Sequence, residues 1–243
     1  MQPQLTHARS RGRAVRPSRD SVVPGDVDGR PAIVRALVAC GVLIPALYVA
    51  MDSIGAARYG GYSQKSGTIS ELSAIGAPTR RLWLILSVPF QLLSFLFAAG
   101  VLAVAGGRRL VRIIGLLLLG FAAVGPAWFV GPMHRREVLA AGGGTWQDTL
   151  HLVLGGINSA FFFALMGVGA AAFRGLFRVY SIASIAVVAI FGTLMGRDAP
   201  RVGRNEPTPW LGVTERITIF GSFLWFAAFA VALLRQGRNI QTD

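Results

Sequence analysis

Charge, cysteine and lysine are all scarce in this chain. Only 14% of its 243 residues are charged, against about 25% in ordinary soluble domains, and this excludes a soluble globular protein. The single cysteine, Cys40, excludes internal disulfides and paired-cysteine metal sites. There is no Walker loop and no H-E-x-x-H, so nothing points to nucleotide-driven chemistry or a helical zinc site. All but one of the 24 basic residues are Arg, the exception being Lys65. That pattern reads as genome composition rather than a phosphate-binding device. The formal charge of +13 is spread over positions that flank apolar segments, which is how membrane topology is encoded, so no nucleic-acid partner is expected.

What fills the chain is apolar: 53% of residues are hydrophobic, in runs of about 20, the span of a bilayer core at about 1.5 Å per residue. Six spans are predicted: Ile33 to Met51, Leu82 to Ala105, Leu110 to Val130, Leu150 to Phe173, Val179 to Gly196, and Ile217 to Leu234. The expected fold is therefore all-α, a polytopic transmembrane helical bundle over residues 32–235. A disordered basic tail is expected at 1–31 and a short tail at 236–243. The leading 31 residues carry six Arg and four Pro with little apolar content, too little to support a core.

An even number of spans places both termini on one side. That side holds fourteen basic residues and the other ten, which by the positive-inside rule predicts a multi-pass protein of the cell membrane with both termini cytoplasmic. Trp83, Trp128, Trp146 and Trp210 fall near the predicted outer helix ends, where amphipathic rings prefer the interface. Tight Gly/Arg links join the spans on the inside, whereas the outside loops run Asp52 to Arg81, Gly131 to Thr149 and Arg197 to Arg216. A functional site is expected among the longer loops.

Two local patterns invite over-reading. Leu37-Val38-Ala39-Cys40 matches a bacterial lipoprotein cleavage box, but a signal peptide carries its apolar run before the cleavage point, and here Arg35 interrupts that stretch. Cys40 reads as a small packing residue. Gly192 and Gly196 form a G-x-x-x-G pair, which lets helices approach closely within one bundle.

The polar residues near the outer helix ends are more informative. Asp148, His151, Gly155 and Asn158 are spaced by three, four and three residues and so share one helical face. That stripe reaches about 15 Å along the helix, so it must face other helices or water. Structural employment is available for the same residues: Thr145 with Asp148 fits a capping box, and Asn158 can join helices. In the first outside loop, Ile69, Leu72 and Ile75 recur every third residue, predicting a short interfacial helix, and Thr68 with Glu71 forms a second capping box. Ser70 and Ser73 lie on it. The second loop contributes His134, Arg135 and Arg136. The third ends in Gly212, Glu215 and Arg216, immediately before the last span.

The S-x-L-S-x-x-G stretch at Ser70, Leu72, Ser73 and Gly76, the histidine His151 opening the fourth span, and the G-x-x-E-R at Gly212, Glu215 and Arg216 occur in this order. Together they resemble the prokaryotic membrane family called domain of unknown function 998, over roughly residues 33 to 235. The resemblance implies an integral membrane protein of six to seven helices and no particular activity.

Three functional readings follow. The first is a binding protein whose outward-facing polar pocket, built from Ser70, Glu71, Ser73, His151, Asn158, Glu215 and Arg216, engages a membrane lipid head group, a small solute or a partner subunit. It needs no cofactor. The alternative is a metal-dependent intramembrane hydrolase of lipid esters or amides, with a divalent metal held by His134, Asp148, His151 and Glu71. A metal-free variant uses Ser73, His151 and Asp148 as nucleophile, base and orienter, although Asp148 and His151 lie only three apart on one helix. The second alternative is a small-solute transporter; Pro89 and Pro126 interrupt two spans, but no charge lies near a helix centre.

Overall fold

The computed structural model describes residues 32–236. The basic segment 1–31 and almost all of the segment 236–243 lie outside the described residues. Among the described residues there are seven α-helices and no strand: α1 (Ala32–Arg58), α2 (Arg80–Ala105), α3 (Arg109–Val124), α4 (Arg136–Ala140), α5 (Trp146–Ala172), α6 (Leu176–Gly203) and α7 (Leu211–Gln236). Two short 3-10 helices, Ile69–Ser73 and Gly125–Phe129, complete the set. Six helices are long and apolar enough to cross a membrane; the third runs through Phe129 when its 3-10 extension is included.

The spans are longer than the apolar runs alone predict. α1 continues seven residues past Met51 because Asp52, the first charge, is buried and paired rather than solvated. α6 continues past Gly196 to Gly203, carrying Asp198 and Arg201, whose side chains approach to 3.4 Å one turn apart. The third span changes character before Val130. Pro126 lacks an N–H, and the chain tightens into the 3-10 helix Gly125–Phe129. The short helix α4 replaces what the sequence reads as plain loop.

Helices adjacent in sequence pack side by side in the order α1, α2, α3, α5, α6, α7, and α7 returns against α1. The result is an antiparallel ring of six spans. One end carries the tight turns and both described chain ends; the other carries the three long loops and is here called the loop end.

The two halves of the ring are filled differently. Toward the turn end, Phe97, Trp225, Phe226 and Phe229 are almost completely buried. Phe121 meets Phe226 edge-on at 5.5 Å, and Trp225 stacks on Phe229 at 5.2 Å. Trp225 Nε1 donates to Ser181 Oγ at 2.9 Å, so its polar edge is satisfied. Such packing matters because lipid provides little hydrophobic drive for helix association. Toward the loop end this plug stops at Phe121, Phe162 and Phe223, which form the floor of a cavity of about 900 Å³.

Candidate functional site

The loop end is assembled around two arginines. Arg216, in the second turn of α7, forks onto Asp52 of α1, with Nε donating to Oδ2 at 2.9 Å and Nη2 to Oδ1 at 2.7 Å. Its Nη2 also donates to the Tyr62 hydroxyl at 2.7 Å. Its Nη1 reaches the carbonyls of Gln64 (2.6 Å), Gly67 (3.0 Å) and Gly212 (3.0 Å). All five N–H donors of the guanidinium are thereby used inside the protein. Gly212 is required because a Cβ there would overlap the Gln64 and Gly67 carbonyl oxygens. Tyr62 donates to the Thr68 carbonyl at 2.7 Å, and burial pushes its phenol well above the ordinary range.

The second arginine, Arg136 at the start of α4, clamps Glu71 with Nε at 2.5 Å and Nη2 at 2.8 Å, and reaches Thr208 Oγ1 at 2.7 Å. Glu71 closes the predicted capping box with Thr68, accepting from the Thr68 N–H at 2.6 Å. Its hydrogen bonds and charge raise the Arg136 pKa above its ordinary value. These contacts tie the three loops together, and the short helix expected there is present as the 3-10 turn Ile69–Ser73, with Ile69 and Leu72 buried inside the protein. Three residues beyond it the chain turns at Gly76, whose φ of 84° favours a residue without Cβ.

The face of that turn directed into the bundle is less saturated. Ser70 Oγ lies 3.1 Å from His151 Nε2, and His151 Nδ1 lies 3.0 Å from the Gly131 carbonyl. The carbonyl can only accept, so Nδ1 carries the proton and Nε2 accepts from the Ser70 hydroxyl. Trp128 holds the imidazole edge-on at 4.9 Å. Glu215, buried on α7, accepts from the Ile69 N–H at 2.5 Å and leaves Oε1 3.5 Å from Ser70 Oγ. Ser73 donates to the Ser70 carbonyl at 3.1 Å, and Arg80 Nη1 donates to the Ser73 carbonyl at 2.8 Å. Ser70, Ser73, Arg80, His151 and Glu215 all line the cavity. Asn158 lines it too, two turns below His151 and about 10 Å deeper; no hydrogen bond joins its amide to another described residue.

Asp148 also lines the cavity, but its carboxylate is engaged by other groups. It caps α5 through the Thr145 N–H at 2.8 Å and accepts from the His134 backbone at 2.7 Å, with His134 Nδ1 2.8 Å from its Oδ2. His134 with Asp148, Glu71 with Arg136, and His151 with Ser70 are thus three separate associations. No three His, Cys, Asp or Glu side chains among the described residues are grouped to hold a metal ion.

The family model "Protein of unknown function (DUF998)" matches residues 42–232, from the eleventh residue of α1 almost to the end of α7. The chain belongs to this family. No curated protein and no solved structure matches it. The resemblance seen in the sequence is thus shown, and in this DUF998 chain its motif residues gather at one end of the ring. Gly76 and Gly212 shape the backbone, Arg216 anchors the loops, and Ser70, Ser73, His151 and Glu215 face the cavity.

The sequence reading did not single out Asp52, Tyr62, Arg80 or the Gly131 carbonyl. Asp52 and Arg216 are 164 positions apart, and no local spacing signals such a pair. The remaining clue is their opposite charge at the loop-end termini of the first and last spans. Arg80 was visible only as one more basic residue flanking a helix.

Proposed function

We propose that this DUF998 protein binds an amphiphile, a membrane lipid or a close relative of one. The polar end sits among Ser70, Ser73, Arg80, His151 and Glu215, and the apolar chain descends toward Phe121, Phe162 and Phe223. The observation that carries this reading is the polarity gradient of the cavity. Its ionisable groups, Arg80, Asp148, His151 and Glu215, cluster at the loop end, the deeper Ser87, Gln91, Ser159 and Thr218 are neutral and donate to backbone carbonyls, and its floor is aromatic. Its volume of about 900 Å³ lies within the usual ligand-pocket range of about 300–1,000 Å³. Arg80 suits an acidic or zwitterionic head group, and Asn158 supplies one polar contact along the chain. The greater number of basic residues on the terminal side supports a cell-membrane orientation with both termini cytoplasmic and the cavity opening toward the outer leaflet.

The test is occlusion. Gly155 and Gly156 line the cavity, and a Cβ at either meets nothing within 4 Å. A Gly155→Leu/Gly156→Leu double variant should therefore take up cavity space from an unobstructed Cβ while raising helix propensity by up to about 1 kcal/mol per site. Native mass spectrometry of detergent-purified protein should show lipid on the wild type and little on the double variant at equal or higher thermal stability. Equal lipid occupancy in both, or an empty wild type, refutes the reading.

A further inference from the structure

We propose that Ser70 is an acyl-accepting nucleophile with His151 as its base, and that the cavity presents the carboxylic ester of a long-chain lipid to it. The inference rests on the amphiphile-binding reading and adds chemistry to it. Three features on different elements converge. The 3-10 helix Ile69–Ser73 places Ser70 Oγ 3.1 Å from His151 Nε2, within the range of a nucleophile and base pair. The Gly131 carbonyl at 3.0 Å from Nδ1 holds the imidazole in the one tautomer that can take the serine proton. Both groups line a cavity whose lower part is apolar, so an acyl chain lying there would bring its carbonyl carbon to the polar end.

The step balances without a cofactor. Ser70 Oγ adds to the ester carbonyl carbon while His151 Nε2 takes the hydroxyl proton, giving a tetrahedral adduct. The adduct collapses with breakage of the bond to the alcohol oxygen, which leaves with the proton from Nε2, and Ser70 carries the acyl ester. Water then adds to that ester, His151 takes its proton, and collapse returns the proton to Ser70 Oγ and releases the carboxylic acid. The net reaction is ester plus water to acid plus alcohol.

This pair differs from the serine, histidine and aspartate arrangement considered from the sequence. Ser70 replaces Ser73, whose hydroxyl is turned to the Ser70 carbonyl. Asp148 is occupied by His134 and the α5 cap. A carbonyl orients the imidazole but carries no full charge to stabilise the imidazolium, so turnover should be slow and the acyl-enzyme should accumulate.

The experiment uses the full chain in detergent micelles, treated with p-nitrophenyl esters of increasing chain length and with a fluorophosphonate probe. Intact mass and peptide mapping follow the adduct. The expected result is one acyl or phosphonyl group on Ser70, faster with longer chains and slower as acid protonates the imidazole. Ser70→Ala should abolish the adduct, and His151→Gln should slow it by about 100-fold or more, with thermal unfolding in detergent showing that both variants are folded. An adduct on another residue, or none on a wild type that carries lipid, overturns the acyl-transfer assignment and leaves lipid binding standing. Loss of the lipid itself from a stable wild type instead removes the reading beneath it.

Discussion

Two polar clusters lie within one loop-end assembly and have opposite characters. Around Arg216 every donor is matched: Asp52, Tyr62 and three backbone carbonyls absorb the guanidinium, and Asp52 is 1% exposed. Around His151 the network is smaller and holds no full ion pair. One serine hydroxyl, one carbonyl and the edge-on Trp128 ring surround an imidazole that borders open volume. A buried charge is tolerated only when its partners are complete, so the first cluster holds the loops in place. In the second, both imidazole nitrogens are engaged, but Glu215 Oε1 has only a long contact of 3.5 Å from Ser70 Oγ beside the cavity, and this is the cluster proposed to meet a ligand. The motif that resembles the DUF998 pattern runs through both clusters, and shared membership in a motif does not separate holding from binding.

The sharpest way to break this comparison is to remove one partner from each cluster. Arg216→Ala should strand Asp52 in a buried site and cost about 3–5 kcal/mol, seen as a large fall in thermal unfolding temperature in detergent or as failure to accumulate. Arg216→Lys should rescue little, because an ammonium cannot reproduce the five-donor fork. Equal stability of Arg216→Ala and wild type would end the distinction.

Next in size is Glu71→Gln. It keeps the shape of the cap but removes the carboxylate from Arg136, and hydrogen bonds to charged groups contribute about 1.5–3 kcal/mol. The same unfolding measurement should place it between Arg216→Ala and the cavity variants. Ser70→Ala should cost only about 1 kcal/mol or less, since His151 Nε2 still borders the cavity. A loss as large as that of Arg216→Ala would make Ser70 a structural residue.

The smallest effect belongs to an exposed pair that serves as a baseline. Arg204 donates to Glu206 at 2.7 Å, and its hydrogen bonds and charge hold the Glu206 carboxyl below the ordinary range. A depressed carboxylate stabilises the folded state above its ordinary pKa and loses that contribution as pH falls through the lowered value. Arg204→Ala should therefore shift the unfolding temperature slightly at neutral pH and low salt. The shift should vanish in acid or at high ionic strength.

The structure repeats what local spacing could encode. Thr68 with Glu71 and Thr145 with Asp148 are both capping boxes, each readable from a gap of three residues. The six spans follow from run length, with their ends moved where a charge finds a partner or Pro126 tightens the helix. The site was legible only as a cast of residues. Asp148 and His151 share a helical face, yet one turns to His134 and the other to Ser70, 81 positions away. Glu71 and Arg216, read as ligand contacts, have their hydrogen-bonding groups engaged by Arg136 and Asp52.

The chain by itself determined that it is a six-span helical membrane protein with its chemistry near the helix ends, because hydrophobic length and charge placement act locally and are written in sequence order. Only the tertiary structure decided which polar groups are saturated and which face a cavity. That choice depends on distances between helices brought together by ring closure, and a hydrogen bond exists only over about 3 Å.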